Sequence, residues 1–497
     1  MMYISTRGGD ERVSSAQAIA QGIAKNGGLF VPEELPEISE AEITELIGMS
    51  YPERAAYVLS KFLTDYTEQE LLGYAERAYS AERFPGEGGA APVHTLSDKI
   101  SVLELFHGPT CAFKDMALQI MPHLLSGALE KTGVKGDAFI LTATSGDTGK
   151  AALDGYHDVP RVRIMVFYPV YGVSRVQKLQ MSTQEGENVM VCPVKGNFDD
   201  TQTGVKRIFT DPEANKYLAE RGYFFSSANS INWGRLAPQI VYYVSAYCDM
   251  IASGRLKLGE QLDVSVPTGN FGDIFAAYIA KRCGLPLGRL VCASNKNRIL
   301  TDFLATGTYD RNRDFYTTMS PSMDILISSN LERLLWFIAG ADATRGFMES
   351  LTSGGSYTVP ADTLADARRD FYGASCNEEQ TAECIRSTYE KYGYLIDPHT
   401  AVGLYCAETY IGEEKPQNKL LCVSTASPYK FASNVYPALT GKKLDDEFEC
   451  IDDTARLTGV TPPAPLSELR SKTVRFDPDK YFMPEDMLDC VKRFADK

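Results

Sequence analysis

The sequence has too little positive charge to bind a polyanion over a broad surface. Its 50 lysines and arginines are outnumbered by 65 aspartates and glutamates, so the formal net charge is -15 over 497 residues. A generic nucleic-acid-binding protein needs a basic surface, and this class is therefore disfavoured. No uninterrupted apolar stretch approaches the roughly 20 residues of a membrane-spanning helix. Residues 1–10 lack the apolar core of a secretory signal. We expect a soluble, cytoplasmic protein with no nucleic-acid or membrane partner.

Cysteine and histidine are present but are not grouped. None of the 11 cysteines forms a Cys-x-x-Cys pair, and several lie in apolar runs such as residues 290–293. The 5 histidines show no His-x-x-x-His or His–Cys spacing, which disfavours a metal site. We expect buried, reduced thiols in a reducing compartment and no metal.

Short apolar runs alternate with helix-like segments between about residues 100 and 430. The runs are rich in β-branched or aromatic residues and short enough to be buried strands; they span residues 138–141, 162–167, 189–192, 223–225, 262–266, 289–292 and 420–423. The helix-like segments between them span residues 149–156, 175–184, 236–250 and 273–283. This alternation predicts an α/β fold of three-layer αβα domains with mostly parallel sheets. The number of strands exceeds one small sheet, so two such domains are expected.

The two ends of the chain have a different pattern. Residues 41–48, 52–64 and 68–79 are helix-like, and the tail ends in a helix-like stretch over 484–495. We therefore divide the chain into four parts, with the larger α/β domain taking strands from both sides of the smaller one. The parts are a largely helical N-terminal region (1–95), a smaller α/β domain (96–225), a larger α/β domain (226–441) and a C-terminal extension (442–497).

Two glycine-containing turns follow predicted strands and precede predicted helices, at residues 142–150 and 267–273. A helix N-terminus has free N–H groups, and glycine lets a phosphate approach the backbone. Most such turns are simply turns, so each signal is weak alone. The first turn is not a Walker A motif, because Thr144 stands five residues before Gly149 and Ala151 follows Lys150. Neither turn contains Gly-x-Gly-x-x-Gly, which lowers the nucleotide-binding alternatives.

Lys114 follows a turn at residues 106–113 and precedes a predicted helix over 116–125. A surface lysine in a first helical turn is the ordinary interpretation. Cations are disfavoured at a helix N-terminus, however. A partly desolvated lysine there would have a lowered pKa and would suit Schiff-base chemistry.

These segments together resemble the threonine synthase family, pyridoxal-phosphate (PLP) enzymes of fold type II. The resemblance covers nearly the whole chain, and the order of its motifs is specific although each motif alone is weak. The matching segments are residues 3–8, 27–32, 107–115, 144–149, 196–200, 229–235, 269–273 and 424–426.

The resemblance implies roles for particular residues. Lys114 would be the Schiff-base lysine, and Thr425 would hydrogen-bond the pyridine nitrogen. The loop that would hold the PLP phosphate is Gly269, Asn270, Phe271, Gly272 and Asp273. Residues that would bind the substrate are Ser145, Gly146, Asp147, Thr148, Asn229, Ser230, Ser174, Arg175 and Lys178. Many relatives have asparagine where this chain has Asp147, so the contact to the ring oxygen of PLP is left open.

The implied reaction converts O-phospho-L-homoserine and water to L-threonine and phosphate, the last step of threonine biosynthesis, by γ-elimination and β-addition of water. The protein would act as a monomer or homodimer on a small molecule. An alternative is another fold-type-II lyase such as a threonine dehydratase, which needs no pocket for a substrate phosphate. A catalytically silent homologue is disfavoured because Lys114, Gly269, Gly272 and Thr425 are all retained.

Overall fold

The computed structural model describes residues 1–86, 88–144 and 146–497, and the described strands form four sheets. Numbered along the chain, the strands are β1 (Met2–Ser5), β2 (Val13–Ser14), β3 (Phe30–Pro32), β4 (Val93–Thr95), β5 (Ile100–Glu104), β6 (Asp137–Ala143), β7 (Val162–Pro169), β8 (Val189–Val194), β9 (Tyr223–Ser226), β10 (Leu262–Pro267), β11 (Leu287–Ser294), β12 (Thr308–Asp310), β13 (Ser356–Thr358), β14 (Phe371–Ser375) and β15 (Lys419–Ser424).

The helices flank these sheets on both faces. They are α1 (Ser15–Gln21), α2 (Glu40–Leu46), α3 (Tyr51–Phe62), α4 (Glu68–Ala78), α5 (Lys114–Leu118), α6 (Met121–Lys131), α7 (Asp147–Tyr156), α8 (Arg175–Ser182), α9 (Phe198–Thr210), α10 (Pro212–Ala219), α11 (Trp233–Ala252), α12 (Gly272–Arg282), α13 (Ile299–Thr306), α14 (Leu331–Gly354), α15 (Ala361–Asp370), α16 (Glu378–Tyr392), α17 (Pro398–Glu414), α18 (Ala432–Thr440), α19 (Glu447–Thr458), α20 (Ala464–Ser467) and α21 (Met487–Ala495).

Two parallel sheets form the centre of the molecule. The four-stranded sheet has the order β8-β7-β6-β9, and all of its pairs are parallel. The six-stranded sheet has the order β14-β11-β10-β15-β5-β4, with only β4 antiparallel at one edge. Every residue of β10 is buried, as expected for a central parallel strand covered on both faces. The α/β prediction is confirmed, and all seven predicted strands are present within slightly longer ones.

The strand β5 joins the six-stranded sheet although it precedes the four-stranded sheet in the chain. It pairs with β15, more than 300 residues later, with Leu421 opposite Ser101. The carboxyl ends of the parallel strands carry the connecting loops of both sheets. Loops from the two sheets meet there. Asp147, which follows β6, contacts Lys430 in the loop after β15 and Ser322 in the loop after β12.

The N-terminal region contains the three predicted helices as α2, α3 and α4. Complete capping boxes start α2 and α4, the latter formed by Thr67 and Glu70, and at the start of α3 the Ser50 N–H donates to Glu53. A small antiparallel sheet of β1, β2 and β3, which the sequence pattern did not predict, completes this region.

The predicted helix over 116–125 is wrong, because the chain forms two helices there. The first, α5, ends at Leu118, and the second, α6, begins at Met121. Pro122 stands in the first turn of α6 and has no N–H to donate to the turn before it, so one continuous helix is disfavoured. The break leaves Lys114 on a helix of only 5 residues.

All 11 cysteines are buried and none is in a disulfide, as the sequence predicted. Among the described residues, no helix is both long and apolar enough to span a bilayer. Within the same part of the chain, no group of three or more His, Cys, Asp or Glu side chains is arranged to hold a metal ion.

Candidate active site

Lys114 is held in place by the strand that ends beside it. The backbone N–H of Phe113 donates to the carbonyl of Thr425, 2.8 Å away, and Ala112 forms an isolated bridge with Ala426. Lys114 is the first residue of α5, and its side chain is 11% exposed. The loop after β5 and the loop after β15 therefore fix this lysine together.

Burial lowers the pKa of Lys114 from 10.5 to about 8. The nearby cations of Arg235 and Lys430 act in the same direction, whereas the Asp147 carboxylate opposes them. A buried ammonium loses its hydration, and so the neutral amine is favoured. The lowered pKa anticipated from the sequence agrees with this geometry.

Asp147 lies 3.9 Å from Lys114, measured from Oδ2 to Nζ, at the start of α7. Its Oδ1 accepts a hydrogen bond from Gln177 Nε2 (2.8 Å) and lies 3.2 Å from Lys430 Nζ. Its Oδ2 accepts from the Ser322 hydroxyl at 2.9 Å. Burial by itself would raise the pKa of Asp147, but Lys430, Lys114 and Gln177 together hold it well below its usual range. The carboxylate is therefore ionised.

The turn before Asp147 requires glycine. Gly146 has φ +144°, and a Cβ there would lie 2.5 Å from the side-chain amide carbon of Gln177. A larger residue would displace the amide that donates to Asp147. Ser145, which the sequence predicted to bind substrate, lies outside the described residues.

The loop after β10 presents a row of backbone donors. Phe271 has a left-handed backbone (φ +63°) and α12 begins at the next residue, Gly272. Among the described residues, no acceptor receives the backbone N–H groups of residues 269–273. The loop is held from behind, because Asn330 Nδ2 donates to the Asn270 carbonyl (3.0 Å) and the Ser328 hydroxyl donates to the Gly269 carbonyl (2.7 Å). Free N–H groups at a helix start suit a phosphate.

Asp273 contributes its backbone to this loop, and its carboxylate points to α11. Oδ1 accepts hydrogen bonds from Tyr242 (2.6 Å) and Tyr243 (2.5 Å), while Oδ2 is buried and has no partner within the described part of the chain. Burial raises the pKa of Asp273 to about 6 although both tyrosines oppose the shift. With a pKa near 6 the carboxylate is mostly ionised at pH 7, and the two tyrosine hydroxyls hold that charge against α11.

Gly269 is the position in this loop where a side chain has no room. A Cβ there would lie 2.7 Å from the backbone oxygen of Ser322. We expect Gly269→Ala to lower the free energy of unfolding by about 1–3 kcal/mol and to move Ser322 away from Asp147. Urea denaturation and a titration of the variant with PLP, followed by absorbance, measure both effects.

The control is Gly412→Ala in α17, where a Cβ would meet nothing within 4 Å. Alanine is the better helix former, so this variant should be as stable as the native protein or slightly more stable. Equal stability and equal PLP affinity in both variants would contradict the packing that we describe for Gly269.

A continuous set of contacts connects the lysine to the donor loop. Gly269 packs against Ser322, Ser322 donates to Asp147, and Asp147 faces Lys114. Thr425 lies beside Lys114, because its carbonyl accepts from the N–H of Phe113, and its hydroxyl makes no hydrogen bond among the described residues. The arrangement therefore combines a reactive amine, a free hydroxyl and a phosphate-type cradle.

Two of the predicted substrate residues lie near the same loop. Asn330 Nδ2 also donates to the Ser230 carbonyl (3.3 Å), so Ser230 and Asn270 share one anchor. Asn229 is exposed in the loop after β9. Thr148 is half-buried in the first turn of α7, next to Asp147.

The predicted residues of the loop before α8 are placed differently. Ser174 caps α8, accepting a hydrogen bond from the backbone N–H of Gln177 (3.2 Å). Arg175 forms an ion pair with Asp446 at 2.6 Å, and its side chain is 60% exposed. Lys178 Nζ donates to the Val170 carbonyl, 2.8 Å away. The structure therefore brings neither cation to Lys114.

Sequence reasoning missed several side chains that complete the site. For Gln177 a signal existed, since the capping-box pattern that begins at Ser174 places it at the third helical position. Lys430 follows Thr425 by five residues and lies just beyond the matching segment 424–426. Ser322 and Asn330 come from the long connection between β12 and α14, and no pattern in the sequence marked them.

Three family models match the chain. They describe the threonine synthase N terminus (residues 2–79), the pyridoxal-phosphate dependent enzyme (residues 91–426) and the threonine synthase C-terminal region (residues 400–471). The chain is thus a member of the pyridoxal-phosphate-dependent enzymes.

Comparison with individual proteins shows which family within this class the chain resembles. The chain is 38% identical to threonine synthase of Schizosaccharomyces pombe over 88% of this chain and 89% of that one. It is 41% identical to threonine synthase-like 1 of Pongo abelii over 89% of this chain, but it spans only 61% of that protein's length. A PLP-bound threonine synthase from Brucella melitensis superposes with a TM-score of 0.88, 35% identity and complete coverage of both chains. The chain belongs to the threonine synthase family.

The described residues fit PLP on their own geometry. The unpaired N–H groups of residues 269–273 match the phosphate, and the free hydroxyl of Thr425 matches a ring nitrogen. Lys114 offers a buried amine whose neutral form is accessible near pH 8.

Proposed function

We propose that this chain is a threonine synthase that converts O-phospho-L-homoserine and water to L-threonine and phosphate. The observation that carries the proposal is the position of Lys114, a buried amine of lowered pKa that faces Asp147. Through Ser322, Asp147 is connected to a loop whose backbone donors have no acceptor among the described residues. The family models support it further, since they span every site segment described above. Because threonine synthase-like proteins also match, activity itself has to be measured.

In this proposal PLP is held by Lys114, by the backbone of residues 269–273 and by Thr425. When bound, the cofactor withdraws electrons from the substrate and so acidifies the protons at Cα and Cβ. A hydroxyl from Thr425, rather than a carboxylate, would leave the ring less electron-withdrawing.

Lys114 is the proposed base. Its Nζ atom is buried and about half neutral near pH 8. It is the group of this site best able to remove the proton at Cα, accept the proton from Cβ and return protons later. Burial also keeps bulk water from the reacting atoms, which limits hydrolysis of reactive products.

We propose that the substrate's polar ends are bound by Ser145, Gly146, Asp147, Thr148, Asn229, Ser230 and Ser174. Arg175 and Lys178 would first have to leave Asp446 and the Val170 carbonyl before they could contact a phosphate. Substrate and cofactor both carry phosphate, so the pocket that binds them has to be locally basic although the whole chain has a net charge of -15.

We propose the cytoplasm as the compartment and a monomer or homodimer as the working form. The buried, unpaired thiols of all 11 cysteines support a reducing compartment. We keep the four-part division of the chain at 1–95, 96–225, 226–441 and 442–497 as a proposal.

The experiment that tests the function supplies the PLP-loaded enzyme with O-phospho-L-homoserine and measures phosphate and threonine together. We expect equal amounts of both products. A threonine dehydratase, the alternative, would instead release a 2-oxo acid from threonine and no phosphate. Phosphate without threonine would contradict the proposal and indicate an elimination enzyme.

A further inference from the structure

Two lysines approach the same buried carboxylate from opposite sides. Lys430 Nζ lies 3.2 Å from Asp147 Oδ1, and Lys114 Nζ lies 3.9 Å from Asp147 Oδ2. Both distances are within reach of a strong charge interaction in a buried site. One carboxylate cannot neutralise two ammonium groups. If both lysines were protonated, one positive charge in this buried site would remain uncompensated by Asp147.

Lys430 is anchored by an ion pair and a hydrogen bond. Its side chain is completely buried, and its Nζ donates to the Thr110 carbonyl at 2.7 Å. It belongs to the 3-10 turn Pro428–Phe431, in which its own N–H donates to the Ser427 carbonyl, and Ser427 N in turn donates to the Cys111 carbonyl. Buried charges persist where they are paired and hydrogen-bonded, and Lys430 meets both conditions.

Lys114 lacks this anchoring. Within the described part of the chain its Nζ makes no hydrogen bond, and its only carboxylate neighbour within 4 Å is Asp147. Arg235, a second cation near it, has a buried guanidinium that donates to the Ala228 carbonyl at 2.8 Å. A third positive charge at Lys114 would therefore be poorly compensated.

Among the described residues, no carboxylate other than Asp147 lies within 4 Å of either lysine. Burial raises the pKa of Asp115 to about 7, against hydrogen bonds from Thr110, and that of Asp273 to about 6. His399 is held by hydrogen bonds, because its Nε2 accepts from Ser322 N (3.1 Å) while its Nδ1 faces Asp397 at 2.6 Å. Asp147 is thus the main counter-ion for both lysines.

We propose that Lys430 is a positioning residue for Asp147: its ammonium is the counter-charge of that carboxylate, so Asp147 favours the ammonium form of Lys114 less strongly and Lys114 becomes a neutral amine, able to react with a carbonyl cofactor, at a lower pH. The same ion pair ties the loop after β6 to the loop after β15, and Ser322 adds a second tie. The inference rests on the role proposed for Lys114 and concerns the state of that amine before any substrate arrives.

The test measures the titration of Lys114 in the full-length protein without cofactor. The protein is trace-labelled with acetic anhydride between pH 6 and 11, and acetylation of the Lys114 peptide is quantified by mass spectrometry against an internal amine standard. The native midpoint is expected at about 8. In Lys430→Gln the midpoint should rise by about 1 pH unit or more, because Asp147 then has only Lys114 as a cationic partner within 4 Å.

Two further variants keep the test decisive if Lys430→Gln does not fold, since breaking a buried pair is costly. Asp147→Asn should lower the midpoint below the native value, because the anion that favours the ammonium is gone. The double variant Asp147→Asn with Lys430→Gln should titrate above Asp147→Asn, because a neighbouring cation has been removed.

The matched control is Lys281→Gln at the far end of α12. Lys281 is also ion-paired, 2.7 Å from Asp370, but it lies outside the site. Its removal should leave the Lys114 midpoint unchanged within about 0.2 units, well below the effect of a charge at contact distance. An unchanged or lowered midpoint in Lys430→Gln, or a double variant that titrates with or below Asp147→Asn, would overturn the inference. If the native enzyme formed no threonine, only the proposed function would be contradicted, because the titration of Lys114 is measured without cofactor or substrate.

Discussion

The Lys114→Ala variant should lose at least about 10³-fold in the rate of threonine formation and should show no lysine-dependent visible absorbance with PLP. The variant removes the only candidate base in this site whose pKa is held near 8 by burial. A positioned acid–base group alone contributes about 10²–10⁴-fold, and loss of the covalent anchor adds to it. Steady-state kinetics and an absorbance spectrum of the PLP-loaded variant measure both effects.

A matched variant separates this loss from a general effect of removing a lysine. Lys281→Ala deletes a partly buried, ion-paired lysine at the other end of α12. It should retain its absorbance band and most of its activity. A Lys114→Ala variant with a complete visible band would show that another amine holds the cofactor.

The Lys114→Met variant should be more stable than the native protein when both lack cofactor, by about 3 kcal/mol at pH 7. A pKa lowered from 10.5 to about 8 means that folding disfavours the ammonium by that amount. Methionine has a similar volume and no charge to bury. Urea denaturation at fixed pH gives the difference in the free energy of unfolding.

The pH dependence of this difference has a defined sign. Below about pH 8 Lys114 is protonated in both the folded and the unfolded chain, so the native protein bears the full penalty. Between about pH 8 and 10.5 only the unfolded chain keeps the proton, and native stability rises relative to the variant. The advantage of Lys114→Met should therefore shrink above pH 8 and be lost near pH 10.5. An advantage that is absent at pH 7, or that grows with pH, would contradict the burial argument.

Helices and strands whose formation depends on the local sequence pattern were predicted from the sequence. Residues 262–266 form a short run that is apolar except for Asp263 and Ser265, and the run becomes a strand that is buried on both faces. The helices of the N-terminal region carry Ser or Thr caps followed by Glu three residues later, a signal readable from the chain. The predicted helix over 116–125 is wrong because Pro122 has no N–H to donate to the preceding turn and starts a new helix.

The parts of the site that depend on tertiary structure were not predicted. Lys430 reaches Asp147 across 283 positions of the chain, and Ser322 reaches it across 175. Arg175 was expected to contact a phosphate, yet the folded chain supplies Asp446 as its partner. Sequence patterns identify which residue types are unusual, whereas partners that come from distant loops are set by the packing of the two sheets.

The most direct test of the proposed reaction uses water labelled with ¹⁸O. Elimination breaks the Cγ–O bond, so the phosphate leaves with its original oxygens, and water then adds at Cβ. We therefore expect one ¹⁸O atom in the hydroxyl group of threonine and none in the phosphate, as measured by mass spectrometry of both products. Label in the phosphate, together with homoserine in place of threonine, would mean that the P–O bond is hydrolysed and would contradict a threonine synthase.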